Sequence, residues 1–262
     1  MIDIHTHILP GVDDGAGDIY DSIDMAALAY MNNTTVIVAT PHCNIPGMRS
    51  NYFGREFSHI FQRTKEILKR EVPGVTLLAG MEVFTTEEVP RLLEEGKIFP
   101  INRTRYVLME FDFGEDPDFA DMMLRRTREV KAIPVVAHAE RYEFVQDEPE
   151  KAVLWKKLGY EIQVNKGSFM GRFGRRAQRT AYTLLSQGLI SAIASDAHSS
   201  VQRTTCMADA YDHLRQRYPE KYLNYLFEIN PRRICNGREP KNFAVQNERQ
   251  NNDDDSWKQF DE

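Results

Sequence analysis

Histidine and acidic side chains stand at the ends of short apolar segments through most of this chain. They are His5 and His7, His42, Glu82, Glu110, His138, and Asp196 with His198. Neutral imidazole and carboxylate together form a ligand set for Zn, Mn or Fe. Five of the seven histidines occur in this way, whereas His59 and His213 lie in stretches with helical periodicity. The pattern therefore predicts a site for divalent metal ions.

One such residue alone would not support that prediction. A lone histidine at a strand end is more often a hydrogen-bonded structural residue, and Glu110 could be a satisfied core carboxylate. However, an unpaired buried carboxylate costs on the order of several kcal/mol, so a cation must compensate it. No Lys or Arg adjoins Glu82 in the sequence. The coincidence of six strand ends favours a metal site.

The segments that carry these side chains have the composition of buried strands. The predicted strands are Ile2–His5, Thr35–Thr40, Val75–Val83, Tyr106–Phe111, Ile133–His138, Tyr160–Asn165 and Leu189–Ser195. Helical patterns occupy Asp18–Asn32, Phe53–Glu71, Thr86–Glu95, Pro117–Lys131, Glu148–Leu158, Gly171–Gln187, Val201–Arg217 and Pro219–Ile229. Asp18 and Thr86 are predicted helix N-caps, and Gly159 and Gly188 are expected just beyond helix ends.

Seven strands that alternate with helices predict a parallel α/β sheet. The regular spacing and the length favour one closed barrel. In such a barrel the carboxyl ends of the strands converge on one rim, where active sites are built. His5 and His7 are two positions apart, so both rings project from one face of their strand. Only the sixth strand, which ends at Asn165, delivers neither an imidazole nor a carboxylate there.

Composition predicts one globular domain without a nucleic-acid footprint. The 262 residues are 42% hydrophobic and 27% charged, with a formal net charge of -6. Much of this charge belongs to Asn247–Glu262, which contains six acidic and two basic residues. We therefore expect a barrel domain over residues 1–246 and an acidic, disordered or partner-dependent tail over residues 247–262.

The three cysteines are odd in number and widely spaced, which suits a reducing compartment rather than a disulfide framework. The start of the chain does not resemble a signal peptide, and no apolar run reaches the ~18 residues of a membrane span. A cytoplasmic location without a membrane span is therefore expected, and no particular oligomeric state is predicted. Cys43, next to His42, is expected to be a packing residue.

Beyond these patterns, Asp3–Gly15 (Asp-Ile-His-Thr-His-Ile-Leu-Pro-Gly-Val-Asp-Asp-Gly) resembles the opening of the PHP (polymerase and histidinol phosphatase) superfamily. It is most similar to the bacterial tyrosine phosphatases encoded with capsule and exopolysaccharide genes. Further similarities are Ala39–His42, Gly80–Glu82, His138–Tyr142, Asn165–Gly174 and Ser195–His198, so the resemblance covers residues 1 to about 240. The opening is specific, because Asp14 and the Leu-Pro-Gly turn are not shared by hydrolases that carry only His-x-His.

The resemblance implies a PHP-type distorted (β/α)7 barrel with two or three divalent ions, most often Mn²⁺, with Fe or Zn as alternatives. Its implied ligand sets are His5, His7, Glu82 and Asp196 for one ion; Glu110 and His138, with Glu82 bridging, for a second; and Asp14, His42 and His198 for a third. Arg141 and Arg203 match two arginines placed beside the phosphate.

The implied function is a metal-dependent phosphomonoesterase. The first expectation is a protein-tyrosine phosphatase that acts on a bacterial tyrosine kinase controlling capsular or exopolysaccharide synthesis. Alternatives are a small-molecule phosphatase such as histidinol-phosphate phosphatase, an amidohydrolase with a bridging lysine, and a binding module that has lost activity. For Arg141, the alternative to phosphate binding is a surface salt bridge with Glu140 or Glu143.

Three positions depart from the family pattern. Ala139 and Asp112 stand where proline is usual, and Lys166 replaces a small residue. Asp112 and Lys166 are expected to change the charge of the rim. Arg172, Arg175 and Arg176, beside Phe173, fit either attraction of an anionic phosphopeptide or a solvated helix start equally well.

Overall fold

Parallel strands alternate with helices along the chain. The computed structural model describes residues 1–242, so the predicted acidic tail, Asn247–Glu262, lies outside the described residues. The strands are β1 (Ile2–Thr6), β2 (Val36–Ala39), β3 (His42–Cys43), β4 (Thr76–Ala79), β5 (Glu82–Phe84), β6 (Tyr106–Glu110), β7 (Ile133–Val136), β8 (Glu161–Asn165) and β9 (Ala192–Ala194).

The helices are α1 (Ile19–Met31), α2 (Arg55–Glu71), α3 (Val89–Glu94), α4 (Pro117–Glu129), α5 (Glu143–Asp147), α6 (Glu150–Lys157), α7 (Lys166–Phe169), α8 (Gly174–Ser186), α9 (Ala208–Leu214), α10 (Glu220–Asn224) and α11 (Asn230–Cys235). Short 3₁₀ turns cover Ile101–Arg103 and Ala139–Arg141, and a π-helical stretch covers Tyr225–Ile229. None of the helices within residues 1–242 combines the length and apolar character that crossing a membrane requires.

The strands form a barrel wall in chain order, and every pairing is parallel. One sheet has the order β1-β2-β4 and the other the order β3-β5-β6-β7-β8-β9. Because β3 continues β2 and β5 continues β4, these nine segments act as the seven predicted strands. The wall closes where Thr6 bridges Ala197, with the Asp196 N–H donating to the His5 carbonyl at 2.9 Å. The predicted parallel barrel is confirmed.

The barrel interior is filled by apolar side chains below the rim. The strand residues of this cluster include Ile2, Ile4, Val38, Leu108, Val135, Ala137, Ala192 and Ala194, and Ile234 and Cys235 of α11 join them. A second and larger cluster lies between the outer faces of the strands and the helices. Burying one such large side chain contributes about 1.5–3 kcal/mol, so the two clusters together fix the strand ends relative to one another.

Two of the predicted strands are interrupted just before a site residue. Pro41, which has no N–H to donate, separates β2 from β3. Gly80 precedes β5, and a Cβ there would lie 3.0 Å from Val38 Cγ1. Beyond these breaks His42 and Glu82 are paired in register. These interruptions therefore change the course of both strands, so that His42 and Glu82 lie side by side at the rim.

The structure confirms three of the four residues that the sequence predicts at helix ends. Asp18 caps α1 by accepting from the N–H groups of Tyr20 and Asp21. Gly159 and Gly188 follow α6 and α8 with φ of 78° and 70°. The prediction for Thr86 was wrong, because its hydroxyl accepts from the Asn44 amide at 3.0 Å and α3 begins three residues later.

The predicted helix Val201–Arg217 is also wrong over its first half, since only α9 is helical there. The segment before α9 is held in an irregular path. The Arg203 carbonyl accepts from the His198 N–H at 2.9 Å, and the Thr205 hydroxyl donates to the Met25 carbonyl at 2.6 Å. These bonds fold the segment back over the rim and bring Arg203 to the site.

Candidate metal centre

The nine predicted metal ligands lie together at the carboxyl ends of the strands. They come from β1 and its following loop (His5, His7, Asp14), from β3, β5 and β6 (His42, Glu82, Glu110), and from the segments after β7 and β9 (His138, Asp196, His198). Each of the five imidazoles has a ring nitrogen within 3.3 Å of an oxygen of Glu82 or Asp14. As the period of two predicts, the His5 and His7 rings converge, with their Nε2 atoms 3.3 Å apart.

Glu82 lies at the centre of this cluster and is almost fully buried. Its Oε1 atom lies 3.1 Å from His5 Nε2 and 3.0 Å from His138 Nε2. Its Oε2 atom lies 3.2 Å from His7 Nε2 and 3.0 Å from His42 Nδ1. A carboxylate with two imidazoles on each oxygen is placed to bridge two cations.

Three groups of ligand atoms could each surround one ion, since the atoms within a group lie within 4.8 Å of one another. The groups are His7, Asp14, His42 and His198; His5, His7 and Asp196; and His42, Glu82 and Glu110. The first group contains the whole set implied for a third ion. His138 Nε2 lies 3.3 Å from Glu110 Oε1 and 3.0 Å from Glu82 Oε1, so His138 adjoins the last group.

The atoms that face one another in this cluster fit metal ions better than they fit hydrogen bonds. Within residues 1–242, Glu82 Oε2, His42 Nδ1 and His198 Nε2 are buried and make no hydrogen bond of normal geometry, although Glu82 Oε2 and His42 Nδ1 lie 3.0 Å apart. A buried polar atom in that state costs about 1–3 kcal/mol. Coordination would satisfy all three atoms, and imidazole with carboxylate suits Mn, Fe or Zn. The side chains therefore fit a cluster of divalent cations.

The electrostatics of the cluster also call for positive charge. Burial alone would lower the pKa of His42 and His138, but Glu110 and Glu82 outweigh burial and raise both values to about 10. Burial alone would raise the pKa of Glu82, yet the charge of His5 and the neighbouring imidazoles hold it well below its usual range. The same carboxylates thus attract either protons on histidine or metal ions, and the two compete.

Three residues of the site adopt left-handed backbone conformations that are unusual for residues other than glycine. They are His138, Asp196 and Arg203, with φ of 31°, 50° and 48°. Such conformations cost about 1–3 kcal/mol each and concentrate at functional sites. Ala137 faces the barrel interior, so on a regular strand His138 would face outward. The positive φ instead turns the imidazole toward Glu82.

β8 contributes two supporting amides that the sequence analysis missed. Gln163 Oε1 accepts from the His138 N–H at 2.8 Å and from His5 Nδ1 at 3.0 Å. Gln163 Nε2 donates to Asn165 Oδ1 at 2.9 Å, and Asn165 Nδ2 donates to Asp196 Oδ2 at 2.6 Å. With Nδ1 facing Gln163, the Nε2 atom of His5 is left to bind a cation placed between it and Glu82, as supported metal ligands do.

The signal for these amides was present in the sequence. Glu161, Gln163 and Asn165 alternate with Ile162 and Val164, which pack in the outer cluster. An alternating strand in an otherwise apolar barrel places its polar residues inside.

Asp13 was also missed, although its neighbour Asp14 was predicted as a ligand. Asp13 Oδ2 lies 2.7 Å from His7 Nδ1 and accepts from the His42 N–H at 2.9 Å. This buried carboxylate therefore orients His7, while the more exposed Asp14 faces His42 and His198. Nothing in the sequence distinguishes the two acids by position alone.

The two predicted arginines lie at the edge of the cluster. Arg203 Nη2 is 2.6 Å and Arg141 Nη1 is 3.7 Å from Asp196 Oδ2. The Arg141 guanidinium lies between two aromatic rings, 4.2 Å from the centroid of Phe113 and 4.3 Å from that of Phe173. Cation–π contact with two rings restricts the movement of this guanidinium.

The alternative of a surface salt bridge for Arg141 was wrong. Glu140 is buried and accepts from the Ser168 hydroxyl at 2.5 Å and from the Asn165 N–H at 3.1 Å. Glu143 likewise makes no ion pair with Arg141 within residues 1–242. Arg141 therefore remains directed toward the site.

A cavity of about 180 Å³ opens over the cluster. It is lined by His42, Glu82, Glu110, Phe113, His138, Arg141, Asp196 and Arg203. Sites for drug-sized ligands have about 300–1,000 Å³. The smaller volume and the two arginines suit a compact anionic group, with the remainder of any larger substrate outside.

Lys166 does not alter the charge of the rim, contrary to expectation. It is buried, and its Nζ donates to the Cys206 carbonyl and to Asp209 Oδ2, both at 2.7 Å. Lys166 therefore cannot act as the bridging lysine of an amidohydrolase. Asp112, the other residue expected to change the charge of the rim, is exposed. Cys43 is a packing residue as expected, since burial raises the pKa of its thiol to about 12.

Comparison with known proteins gives a consistent result. The profile of a family described as capsular polysaccharide synthesis, CpsB/CapC, matches residues 1–236. Tyrosine-protein phosphatase YwqE of Bacillus subtilis is 36% identical over 230 residues, which is 88% of this chain and 89% of the relative. Tyrosine-protein phosphatase CpsB of Streptococcus pneumoniae is 29% identical over 242 residues, or 89% and 98% of the two chains.

Among solved structures, the fold is similar to one from a crystallographic study of YwqE from Bacillus subtilis and CpsB from Streptococcus pneumoniae. Those proteins are described there as unique metal-dependent tyrosine phosphatases. The TM-score is 0.83 at 30% identity, covering 93% of this chain and 100% of that one.

Proposed function

The chain belongs to the capsular polysaccharide synthesis family CpsB/CapC, and on that basis we propose that it is a metal-dependent protein-tyrosine phosphatase. It hydrolyses a phosphomonoester of tyrosine to the phenol and inorganic phosphate. The observation that carries this proposal is the convergence of nine ligand side chains and two arginines around one small cavity.

The proposal includes two or three divalent ions, with Mn²⁺ as the first candidate and Fe or Zn as alternatives. Their ligands are His5, His7, Glu82 and Asp196; Glu110 and His138 with the shared Glu82; and Asp14, His42 and His198. When bound, such ions lower the pKa of a water molecule toward neutrality and offset phosphoryl charge. The buried atoms without hydrogen-bond partners support this assignment.

Arg141 and Arg203 bind the phosphate in this proposal. A guanidinium can contact two phosphate oxygens at once, and the contacts with Phe113 and Phe173 help to hold Arg141 in position. Neither arginine acts as the general acid, because a guanidinium retains its proton (pKa above about 12). Both therefore stabilise the charge that develops on the phosphoryl oxygens.

The leaving group of a tyrosine phosphate needs little assistance. Phenoxide has a pKa of about 10, so solvent can protonate it and the site needs no separate side-chain acid. The small cavity admits the phosphate, while the polypeptide that carries the tyrosine stays outside.

The proposed substrate is a phosphotyrosine-containing bacterial tyrosine kinase that regulates capsular or exopolysaccharide synthesis. The description of the family supports that process. The proposed compartment is the cytoplasm, where the three free cysteines remain reduced.

The test is a substrate panel with the purified, Mn²⁺-loaded protein. We expect turnover of a phosphotyrosine peptide well above that of a phosphoserine peptide or histidinol phosphate, and its loss on chelation. H42A and E110A should each reduce activity at least about tenfold, whereas H59A, on the exposed face of α2, serves as a matched control. A preference for histidinol phosphate, or turnover that survives chelation, would overturn the proposal.

A further inference from the structure

Arginines are concentrated on the segment that joins α7 to α8 and on the first turns of α8. They are Arg172, Arg175, Arg176 and Arg179, and all four are exposed. Arg176 pairs with Asp147 at 2.5 Å. Within residues 1–242, no carboxylate lies within ion-pair distance of the other three. The surface formed by Arg172 and Arg175, called the basic edge below, thus has positive charge that the described part of the chain does not neutralise.

The basic edge lies beside the proposed phosphate-binding arginines. Between Arg172 and Gly174 stands Phe173, whose ring is 4.3 Å from the Arg141 guanidinium and 6.0 Å from that of Arg203. The Arg172 N–H donates to the Gly167 carbonyl at 3.1 Å. Because α7 directly follows β8, this contact ties the segment to the rim of the barrel.

Gly167 allows this close seating. A Cβ at that position would lie 3.1 Å from Phe173 Cε2 and 3.2 Å from Arg172 Cδ. Contacts that short would force the neighbours to shift. Glycine at position 167 therefore lets the side chains of Phe173 and Arg172 pack closely against α7. These contacts hold Arg172 next to Phe173, whose ring lies against Arg141 of the cavity lining.

The positive charges of the basic edge do not stabilise α8, at whose N-terminus they lie. α8 has no acidic residue in its first turn, and its N-cap Phe173 offers no side-chain hydrogen bond. Positive charge at a helix N-terminus is unfavourable because it opposes the helix dipole. In contrast, α1 and α4 each begin with a capping aspartate. The arginines are thus retained at a cost to local stability.

The positive charge of the basic edge contrasts with the net negative charge of the chain. The formal net charge is -6, so the chain as a whole offers an acidic polypeptide no general attraction. Exposed charges act over about 8–10 Å at ordinary ionic strength. Arg172 and Arg175 therefore provide local attraction close to Phe173 and the proposed phosphate-binding Arg141.

We propose that the basic edge docks anionic residues that flank the phosphotyrosine of a polypeptide substrate, and this inference rests on the proposed phosphatase function. The occupant is an extended segment that carries Asp, Glu or further phosphorylated residues. One extended residue spans about 3.3–3.6 Å, so the anions that can reach the basic edge are those close in sequence to the phosphotyrosine. Arg172 and Arg175 thereby determine specificity without taking part in the chemical step.

The experiment uses the full-length, Mn²⁺-loaded protein and three substrates. These are phosphotyrosine amide, a phosphotyrosine peptide with acidic flanks, and the same peptide with Asn and Gln flanks. Exposed ion pairs are individually weak, so we expect wild type to prefer the acidic peptide by roughly fivefold in kcat/KM, expressed in KM. Added salt should remove the preference.

The double variant R172Q/R175Q should lose this preference and keep wild-type kinetics on phosphotyrosine amide. The matched control R125Q/R128Q removes two exposed arginines from the last turns of α4, away from the rim, and should keep the preference. A second variant, R175E, should make the acidic peptide the poorer substrate. It guards against the chance that loss of Arg172, which packs on Gly167, disturbs the fold.

The outcomes separate the two proposals. Equal kcat/KM for the two peptides in wild type, or a preference retained by R172Q/R175Q and R175E, overturns the docking inference and leaves the phosphatase proposal intact. Failure of wild type to hydrolyse phosphotyrosine amide or either peptide overturns the phosphatase proposal and the docking inference with it.

Discussion

Replacing Gln163 with leucine tests how far the metal centre depends on the polar interior of β8. Leucine keeps a comparable volume but neither accepts nor donates. His5 Nδ1 and the His138 N–H would then lose an acceptor at 3.0 Å and 2.8 Å, and Asn165 Oδ1 would lose a donor at 2.9 Å. All three residues are buried, so water cannot take the place of the amide.

The size of the effect follows from these contacts. Each buried donor left without a partner costs about 1–3 kcal/mol, so Q163L should lower the free energy of unfolding by about 2–6 kcal/mol. For a domain of this size, that corresponds to a fall in Tm of roughly 5–20 °C. Because His5 also loses the contact that fixes its tautomer, affinity for Mn²⁺ should fall by about 10–100-fold.

The assays are urea unfolding and Mn²⁺ titration by calorimetry, with two comparison variants. Q163E retains an acceptor for both donors, so its Mn²⁺ affinity should lie closer to wild type than that of Q163L. Q178L, on α8, removes one hydrogen bond to the carbonyl of Phe169 at the end of α7. This change should reduce stability without altering Mn²⁺ affinity. Wild-type Mn²⁺ affinity in Q163L would refute the role assigned to β8.

Three further predictions concern the arginine, the histidine support and pH. F173A removes one of the two rings in contact with Arg141 and should raise KM for phosphotyrosine roughly fivefold, with unchanged Mn²⁺ content and rescue by F173Y; an unchanged KM would contradict a positioning role for Phe173. D13A should weaken Mn²⁺ binding at least about tenfold in a titration, and wild-type affinity would exclude Asp13 as a support. His42 and His138 have pKa values raised from 6.5 to about 10, so their stabilising contribution is complete below 6.5 and lost as pH rises through 10. The metal-free protein should therefore lose unfolding free energy over that range, and the stabilisation by Mn²⁺ should grow with pH; a constant Mn²⁺ effect in urea unfolding would contradict this.

The strand-end pattern was sufficient to predict the barrel and to bring eight of the nine ligand candidates to one rim, whereas Asp14 followed only from the family resemblance. Both predictions rest on the same physical fact, which is that charged groups rarely interrupt buried strands without a compensating partner. Glu82 shows this most clearly, because a carboxylate with two imidazoles on each oxygen can only arise where several strand ends meet.

Residues that act through uncharged or long-range contacts were harder to find. Gln163 lay in a strand assigned no ligand, although its alternation with Ile162 and Val164 marked an inward polar face. The salt bridge with Glu140 that the sequence left open as an alternative for Arg141 does not form within residues 1–242, because adjacent residues in a 3₁₀ turn point in different directions. The contacts of Arg141 with Phe113 and Phe173 join segments that no local pattern connects.

Hydrogen bonds at the barrel rim hold the strained residues of the site, and one of these bonds also closes the barrel. The Asp196 N–H donates to the His5 carbonyl, which joins the last strand to the first. The His138 N–H donates to Gln163, and the Arg203 carbonyl accepts from the His198 N–H. A left-handed conformation costs about 1–3 kcal/mol and persists only where its surroundings enforce it. Loosening the closure would therefore release the backbone at these residues and separate the ligands, so the geometry of the metal centre and the integrity of the barrel rim should fail together.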